Sequence, residues 1–242
     1  MISLDCVTLE RRHFSFGPVS RTFKEGECVA VMGENGAGKT TLLDLISGLE
    51  TPSSGTIDSS SRVSYAPQES DDSFFLPTVL DEFSYSLRCV RRGLGVREEA
   101  ERLLVAVGLD SSYLSQSPFS LSGGEKRLLS IALALAMSPD IILLDESLSG
   151  LDWKGYRAFR ALVSSLKNSG IGIIFISHDP SILDLADALI VLKDGKIVFD
   201  GNPVTAMEDG LIKKSFAYSK SMELLGTPVL SLKEIIRRVE NE

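Results

Sequence analysis

The chain has 242 residues, 43% of them apolar, enough to bury a substantial core. Its 25 basic and 33 acidic residues leave a formal charge of −8, so no general positive field attracts a nucleic-acid backbone. The apolar runs, such as Ile131 to Met137 and Ile171 to Phe175, fall far short of the roughly 18 residues of a membrane-spanning helix, and the N-terminus lacks the basic-then-apolar order of a secretory signal.

Up to about Met32 the chain reads as short strands with turns at Gly17-Pro18 and Glu25-Gly26, ending in the continuous apolar strand "ECVAVM". A glycine-rich loop follows, then a helix in "KTTLLDLISGL" closed near Gly48. Gly55 to Tyr65 reads as another small hairpin. From about Pro77 to Ser138 the composition is helical, and "REEAERLLVAVG" has apolar residues at helical spacing with Gly108 just past its end. The helix after Ser122 is apolar almost all round, which predicts burial.

"IILLD" and "GIGIIFIS" are continuous apolar runs, expected of parallel strands covered on both faces, with a helix from about Lys154 to Asn168 between them. Strand, helix and strand in that order predict a parallel sheet with right-handed crossovers and an α/β fold. "ALIVLKDGKIVFDG" predicts two strands joined by Asp194-Gly195. Beyond Gly201 the pattern weakens, with Ser231 and Glu234 forming a capping box ahead of a short amphipathic helix. Cys6, Cys28 and Cys89 are scattered, odd in number and without metal-ligand spacing, which suits a reducing compartment and makes the cytoplasm the default location.

Gly33-Glu34-Asn35-Gly36-Ala37-Gly38-Lys39-Thr40 fits the G-x-x-x-x-G-K-[ST] loop between a strand and a helix. Its amides curl round phosphates, Lys39 reaches the β- and γ-phosphates, and the Thr40 hydroxyl ligates magnesium. Small-molecule kinases, GTPases and motor ATPases share this loop, so the remaining residues must decide its use. Asp145 and Glu146 end a buried strand at the edge where ligands of open α/β sheets collect. There Asp145 would hold magnesium, directly or through water, and Glu146 would polarise an attacking water.

His178 follows the next buried strand and should emerge on the same edge, able to donate to the γ-phosphate and to hold the water or Glu146. His13 has no such context and reads as structural. Gln68, at the border of the first lobe and the helical segment, can reach the magnesium or the water through its carbonyl. Ser122-x-x-Glu125 is a capping box that satisfies its own helix start. The two glycines between, Gly123 and Gly124, equally expose bare amides suited to an anion. Composition leaves both readings open.

Together these motifs resemble the nucleotide-binding subunits of ATP-binding cassette transporters, over nearly the whole chain. "GENGAGKT" resembles the Walker A loop, "YAPQ" the Q-loop, "LSGGE" the signature, "IILLDE" the Walker B strand, "SGLD" the D-loop and "ISHD" the H-loop. The resemblance implies a P-loop NTPase fold: a RecA-like core with a mainly parallel sheet, an N-terminal antiparallel β lobe and an inserted α-helical subdomain. The ATPase domain would span 1–204, with core and β lobe at about 1–70 and 135–204, the helical subdomain at about 71–134, and a C-terminal helical extension at 205–242.

It also implies ATP and Mg2+ as cofactors and a head-to-tail dimer. In that dimer Ser122, Gly123 and Gly124 would bind the γ-phosphate held by the partner's Walker A loop. Glu146, His178 and Gln68 would be catalytic, and Thr40, Gln68 and Asp145 would face the metal. Gly33 to Thr41, Asp152 and an aromatic, Phe16 with Phe14 as second choice, would bind the nucleotide.

"QESDDSFFLPTVLDEFSYSL" and "GGEKRLLSIALALAMSPDIILLDES" further resemble the energy-coupling factor group, importers of vitamins or of cobalt and nickel ions, and "LLGTPVLSLKEIIRRV" resembles the C-terminal tail of that group. Its members pair two similar ATPases, identical or paralogous, beneath a transmembrane coupling protein and a substrate-capturing membrane protein, which implies the cytoplasmic face of the cell membrane. An exporter ATPase is the alternative within transport. Soluble cassette ATPases acting on nucleic acid or ribosomes carry insertions or second cassettes that this sequence lacks, and no nucleic-acid partner is expected. Ser147 and Trp153 stand where prolines are usual, and Glu125 where glutamine is more frequent.

Overall fold

The structure, a computed structural model, describes residues 1–68, 73–90, 95–146, 153–212, 222–223, 227–228 and 230. Strands β1 (Ile2–Arg11), β2 (Phe14–Phe23) and β4 (Ser54–Ser59) form an antiparallel sheet in the order β2-β1-β4. A second sheet has the order β5-β6-β7-β3-β8-β9, from β3 (Cys28–Gly33), β5 (Val63–Ala66), β6 (Ile141–Leu144), β7 (Gly172–Ile176), β8 (Ala188–Lys193) and β9 (Lys196–Gly201). Its first five strands are parallel, and β9 returns antiparallel to β8.

The apolar runs are continuous because this sheet is covered on both faces. Val29, Val31, Ile141, Leu143, Ile174 and Ile176 face a core shared with helix α1 (Lys39–Ser47) and the small sheet. Ala30, Ile142, Leu144, Ile173 and Phe175, alternating with them, face the helices on the other side. These are α2 (Val79–Val90), α3 (Val96–Val107), α4 (Gly123–Ala136), α5 (Trp153–Asn168) and α6 (Pro203–Glu208). Every residue of α4 from Leu128 to Ala136 is buried, as its all-round apolar sequence requires.

Two local expectations are corrected. Gly17-Pro18 is not a turn but a bulge inside β2: Val7 pairs Val19 and Leu9 pairs Phe16, so Thr8 alone faces both residues. A strand bulge tolerates proline, which has no amide to pair. Gly55 to Tyr65 is not a hairpin either, because β4 and β5 belong to different sheets. Asp140 locks β5 beside β6: its side chain accepts from Arg62 N at 2.8 Å, while Arg62 O accepts from Asp140 N at 2.9 Å.

The Asp194-Gly195 turn between β8 and β9 is present. Cys28 is buried, whereas Cys6 and Cys89 are exposed. No helix among the described residues is long and apolar enough to cross a membrane. Ser147, the "SGLD" segment with Asp152, and the helix expected after Ser231 lie outside the described residues.

Candidate functional site

Two glycines of the loop after β3, Gly33 and Gly38, leave no room for a side chain, whereas Gly36 is open and left-handed at a φ of 78°. A Cβ on Gly33 would lie 2.3 Å from Leu192 O, and one on Gly38 would meet the rings of Phe16 and Phe14 at 3.0 and 3.1 Å. Gly38, in the left-handed region, opens α1, and no side chain caps that helix start. Its first amides therefore present the positive end of the helix to an anion. The β8–β9 turn supports the loop from behind, Gly195 N donating to Ala37 O at 3.1 Å.

Lys39 is buried, its ammonium donating to Gly33 O at 3.0 Å and Glu34 O at 2.9 Å. Burial lowers its pKa, against the pull of Glu146 and Asp145.

The parallel sheet delivers four further groups to the same edge. Asp145 and Glu146 follow β6, His178 lies two residues past β7, and Gln68 two residues past β5. Glu146, at a left-handed φ of 45°, accepts from Gln68 Nε2 at 2.9 Å on Oε2 and lies 3.1 Å from His178 Nε2 through Oε1. Gln68 thus meets Glu146 through its amide nitrogen, leaving its carbonyl free of that contact.

Asp145 Oδ2 accepts from Thr40 Oγ1 at 2.9 Å and from Tyr65 OH at 3.2 Å. Burial raises the Asp145 pKa despite these two donors. Its other oxygen, Oδ1, is buried and has no hydrogen-bond partner. A buried carboxylate oxygen left bare beside a threonine hydroxyl is a hard-oxygen set that fits magnesium.

A groove of about 660 Å³ opens beside these groups, and the buried Asp145 is not among the residues lining it. Asn35, Gly36, Gly38, Lys39, Thr40 and Thr41 line its length, and Gln68, Glu146 and His178 also border it, so the structure brings most of the candidate nucleotide residues together. Phe16 is corrected: it is fully buried in the core beneath the loop and has no free face for a base. Phe14, half-buried, lines the groove instead, with Arg11, which pairs with Glu50. Phe14 pairs with Arg11 and Phe16 with Leu9 in unbroken register, so the two rings share one face of β2 and differ only in depth, which strand alternation alone does not reveal. Nothing in the sequence assigned a role to Arg11, or to Tyr65 at the head of "YAPQ"; both become visible once β1 and β5 are placed.

Ser122, Gly123 and Gly124 do not border this groove. Ser122 caps α4, accepting from Glu125 N at 3.4 Å, while Glu125 Oε2 accepts from Ser122 N at 2.8 Å. Tyr113 OH donates to the other Glu125 oxygen. The capping box is therefore real, yet it does not account for Gly123: nothing lies within 4 Å of the position a Cβ would take there. Ser122 and Gly123 are exposed, so this helix tip is open to a ligand from outside the chain.

A profile of the family described as ABC transporter matches residues 16–149. The energy-coupling factor transporter ATP-binding protein EcfA2 of Thermotoga maritima is 37% identical over 202 residues, covering 78% of this chain and 76% of that protein. Relatives of similar identity carry only the general name of ABC transporter ATP-binding proteins. Among solved structures, a dimeric ATP-binding cassette in a post-hydrolysis state, bound to ADP and Pi, matches with a TM-score of 0.76 at 25% identity, over 84% of this chain and 99% of that one. The structure of cbiO1 from Clostridium perfringens, part of the ABC transporter complex cbiONQ, matches with a TM-score of 0.74 at 26% identity, over 93% and 95% of the two chains.

Proposed function

The chain belongs to the ABC transporter family as an ATPase subunit, and from that premise we propose that it powers an importer of the energy-coupling factor kind, for a vitamin or a transition-metal ion. The likeness to EcfA2 and to cbiO1 supports the importer reading. The observation that carries the catalytic part is Glu146, held between Gln68 and His178 at the edge of the loop's groove.

ATP lies along the groove, its base against Phe14 and its phosphates in the amides of residues 33–41. Lys39 exchanges its two carbonyl partners for phosphate oxygens. Glu146 accepts a proton from the attacking water, and His178 and Gln68 keep its carboxylate aimed. Thr40, Asp145 and Gln68 would hold magnesium, which when bound neutralises charge on the phosphates.

Ser122, Gly123 and Gly124 complete the groove of a second ATPase subunit, identical or paralogous, in a head-to-tail pair. The exposure of this tip and the unoccupied space around Gly123 support that arrangement. Membrane partners, a coupling protein and a substrate-capturing protein, hold the pair at the cytoplasmic face. Purification of the chain from detergent-solubilised membranes of its own cells tests the importer reading. Co-purification of a coupling protein and a small solute-binding membrane protein is expected; a polytopic exporter subunit, or no membrane protein at all, would overturn it.

A further inference from the structure

We propose that Tyr65 is a positioning residue for the magnesium-facing carboxylate, fixing which oxygen of Asp145 is left free. This role rests on the magnesium reading of Asp145 and Thr40 given above. β5 is an edge strand of the larger sheet, and in its parallel register with β6 Tyr65 pairs with Leu143, two residues short of Asp145. Tyr65, Leu143 and Asp145 share one face by strand alternation, the face on which Leu143 packs toward α1 and its core.

Two strand residues span about 6.6 Å, a gap that a serine or threonine on β5 could not cross. The tyrosine crosses it, its hydroxyl lying 3.2 Å from Asp145 Oδ2. The ring is half-buried against the same core, so its direction is set by packing.

Thr40 donates to the same Oδ2 at 2.9 Å. The two tethers differ in kind. Thr40 borders the groove, and its oxygen is the one expected at the cation; Tyr65, like Asp145 itself, does not border it and reaches Asp145 from the edge strand β5. Both donors converge on Oδ2, and Oδ1 is left buried and unpartnered. Tyr65 therefore holds the carboxylate in its cation-ready orientation whatever the Thr40 side chain does, as supporting groups behind metal ligands do.

The test measures equilibrium binding of a fluorescent mant-ATP to the whole chain, wild type and Tyr65→Phe, first in EDTA and then against buffered free Mg2+. The phenylalanine keeps the ring and removes only the hydroxyl. Metal-free affinity should be unchanged, while the enhancement of affinity on going from EDTA to saturating free Mg2+ should fall about tenfold. That enhancement is the solution Mg2+–nucleotide dissociation constant divided by the protein-bound one, so the solution constant cancels between the two proteins. An unchanged Mg2+ enhancement in Tyr65→Phe would overturn the role. So would an equal loss of affinity in EDTA, which would make Tyr65 a general support of the fold. Wild-type protein that binds mant-ATP equally with and without Mg2+ would instead overturn the magnesium reading itself, and this role with it.

Discussion

His178 Nε2 lies 3.1 Å from Glu146 Oε1, although 32 residues separate them in the chain. The contact exists because β6 and β7 are neighbouring parallel strands, in register from Ile141↔Gly172 to Leu144↔Phe175, so that the residues after each strand emerge side by side. Gln68, past β5 on the other flank of β6, takes the second Glu146 oxygen. A carboxylate gripped on both oxygens has little freedom to turn away from a water in the groove.

Glu146→Gln keeps the size and both neighbours but loses basicity. ATP turnover should fall by about two to four orders of magnitude, with ATP affinity unchanged. Parallel measurements of steady-state phosphate release and nucleotide binding check this, and undiminished turnover would remove Glu146 from its role.

Ser122 has two assigned tasks, and one substitution separates them. Aspartate caps helices as well as serine does, so Ser122→Asp should unfold within about 0.5 kcal/mol of wild type in urea. Its negative charge at the helix tip should nevertheless abolish ATP turnover while each chain still binds nucleotide. Retained turnover would leave Ser122 as a cap and nothing more.

Phe14 and Phe16 should part company. Truncating the buried Phe16 to alanine should cost about 3–5 kcal/mol of stability. Phe14→Ala should leave the fold intact and raise the KM for ATP. Thermal melts and kinetics on both variants read this directly.

Glu125 accepts hydrogen bonds from Tyr113 and from the Ser122 side, which hold its carboxyl below the ordinary value of 4.5. A depressed folded-state pKa contributes stability that is present above the ordinary value and lost as pH falls through the lowered one. Glu125→Gln should flatten that part of the acid limb of the stability curve, as followed by urea titrations at successive pH values.

Burial pushes the Cys28 thiol up to about 12, while Cys6 and Cys89 are exposed. A thiol reagent at pH 8 should label Cys6 and Cys89 in the native chain and Cys28 only after denaturation. Native-state mass spectrometry of the labelled peptides distinguishes the three.

The parallel sheet was legible in the sequence because its strands are buried on both faces and so read as unbroken apolar runs; "IILLD" and "GIGIIFIS" could hardly be anything else. The loop, Asp145, Glu146 and His178 were legible for the same reason, since their positions follow from strand ends. Phe16 proved to be the wrong choice because Phe14 and Phe16, two residues apart, lie on one face of β2, and alternation does not tell which of them lies at the depth of the core. The supposed hairpin at Gly55 to Tyr65 failed because pairing between sheets is decided by tertiary contacts such as Arg62 with Asp140. Tyr65 was invisible because its importance lies in a register two residues out of step with Asp145.

The most direct measurement is the mass in solution of the Glu146→Gln protein, with and without Mg-ATP, by sedimentation, using the co-purifying ATPase subunit as partner if that is a different chain. The account predicts a stable two-subunit particle with Mg-ATP and single subunits without it, and no such particle when Ser122→Asp is added to both subunits. A chain that stays single with saturating Mg-ATP, or that pairs regardless of Ser122, would contradict the claim that one subunit's helix tip completes the other's groove.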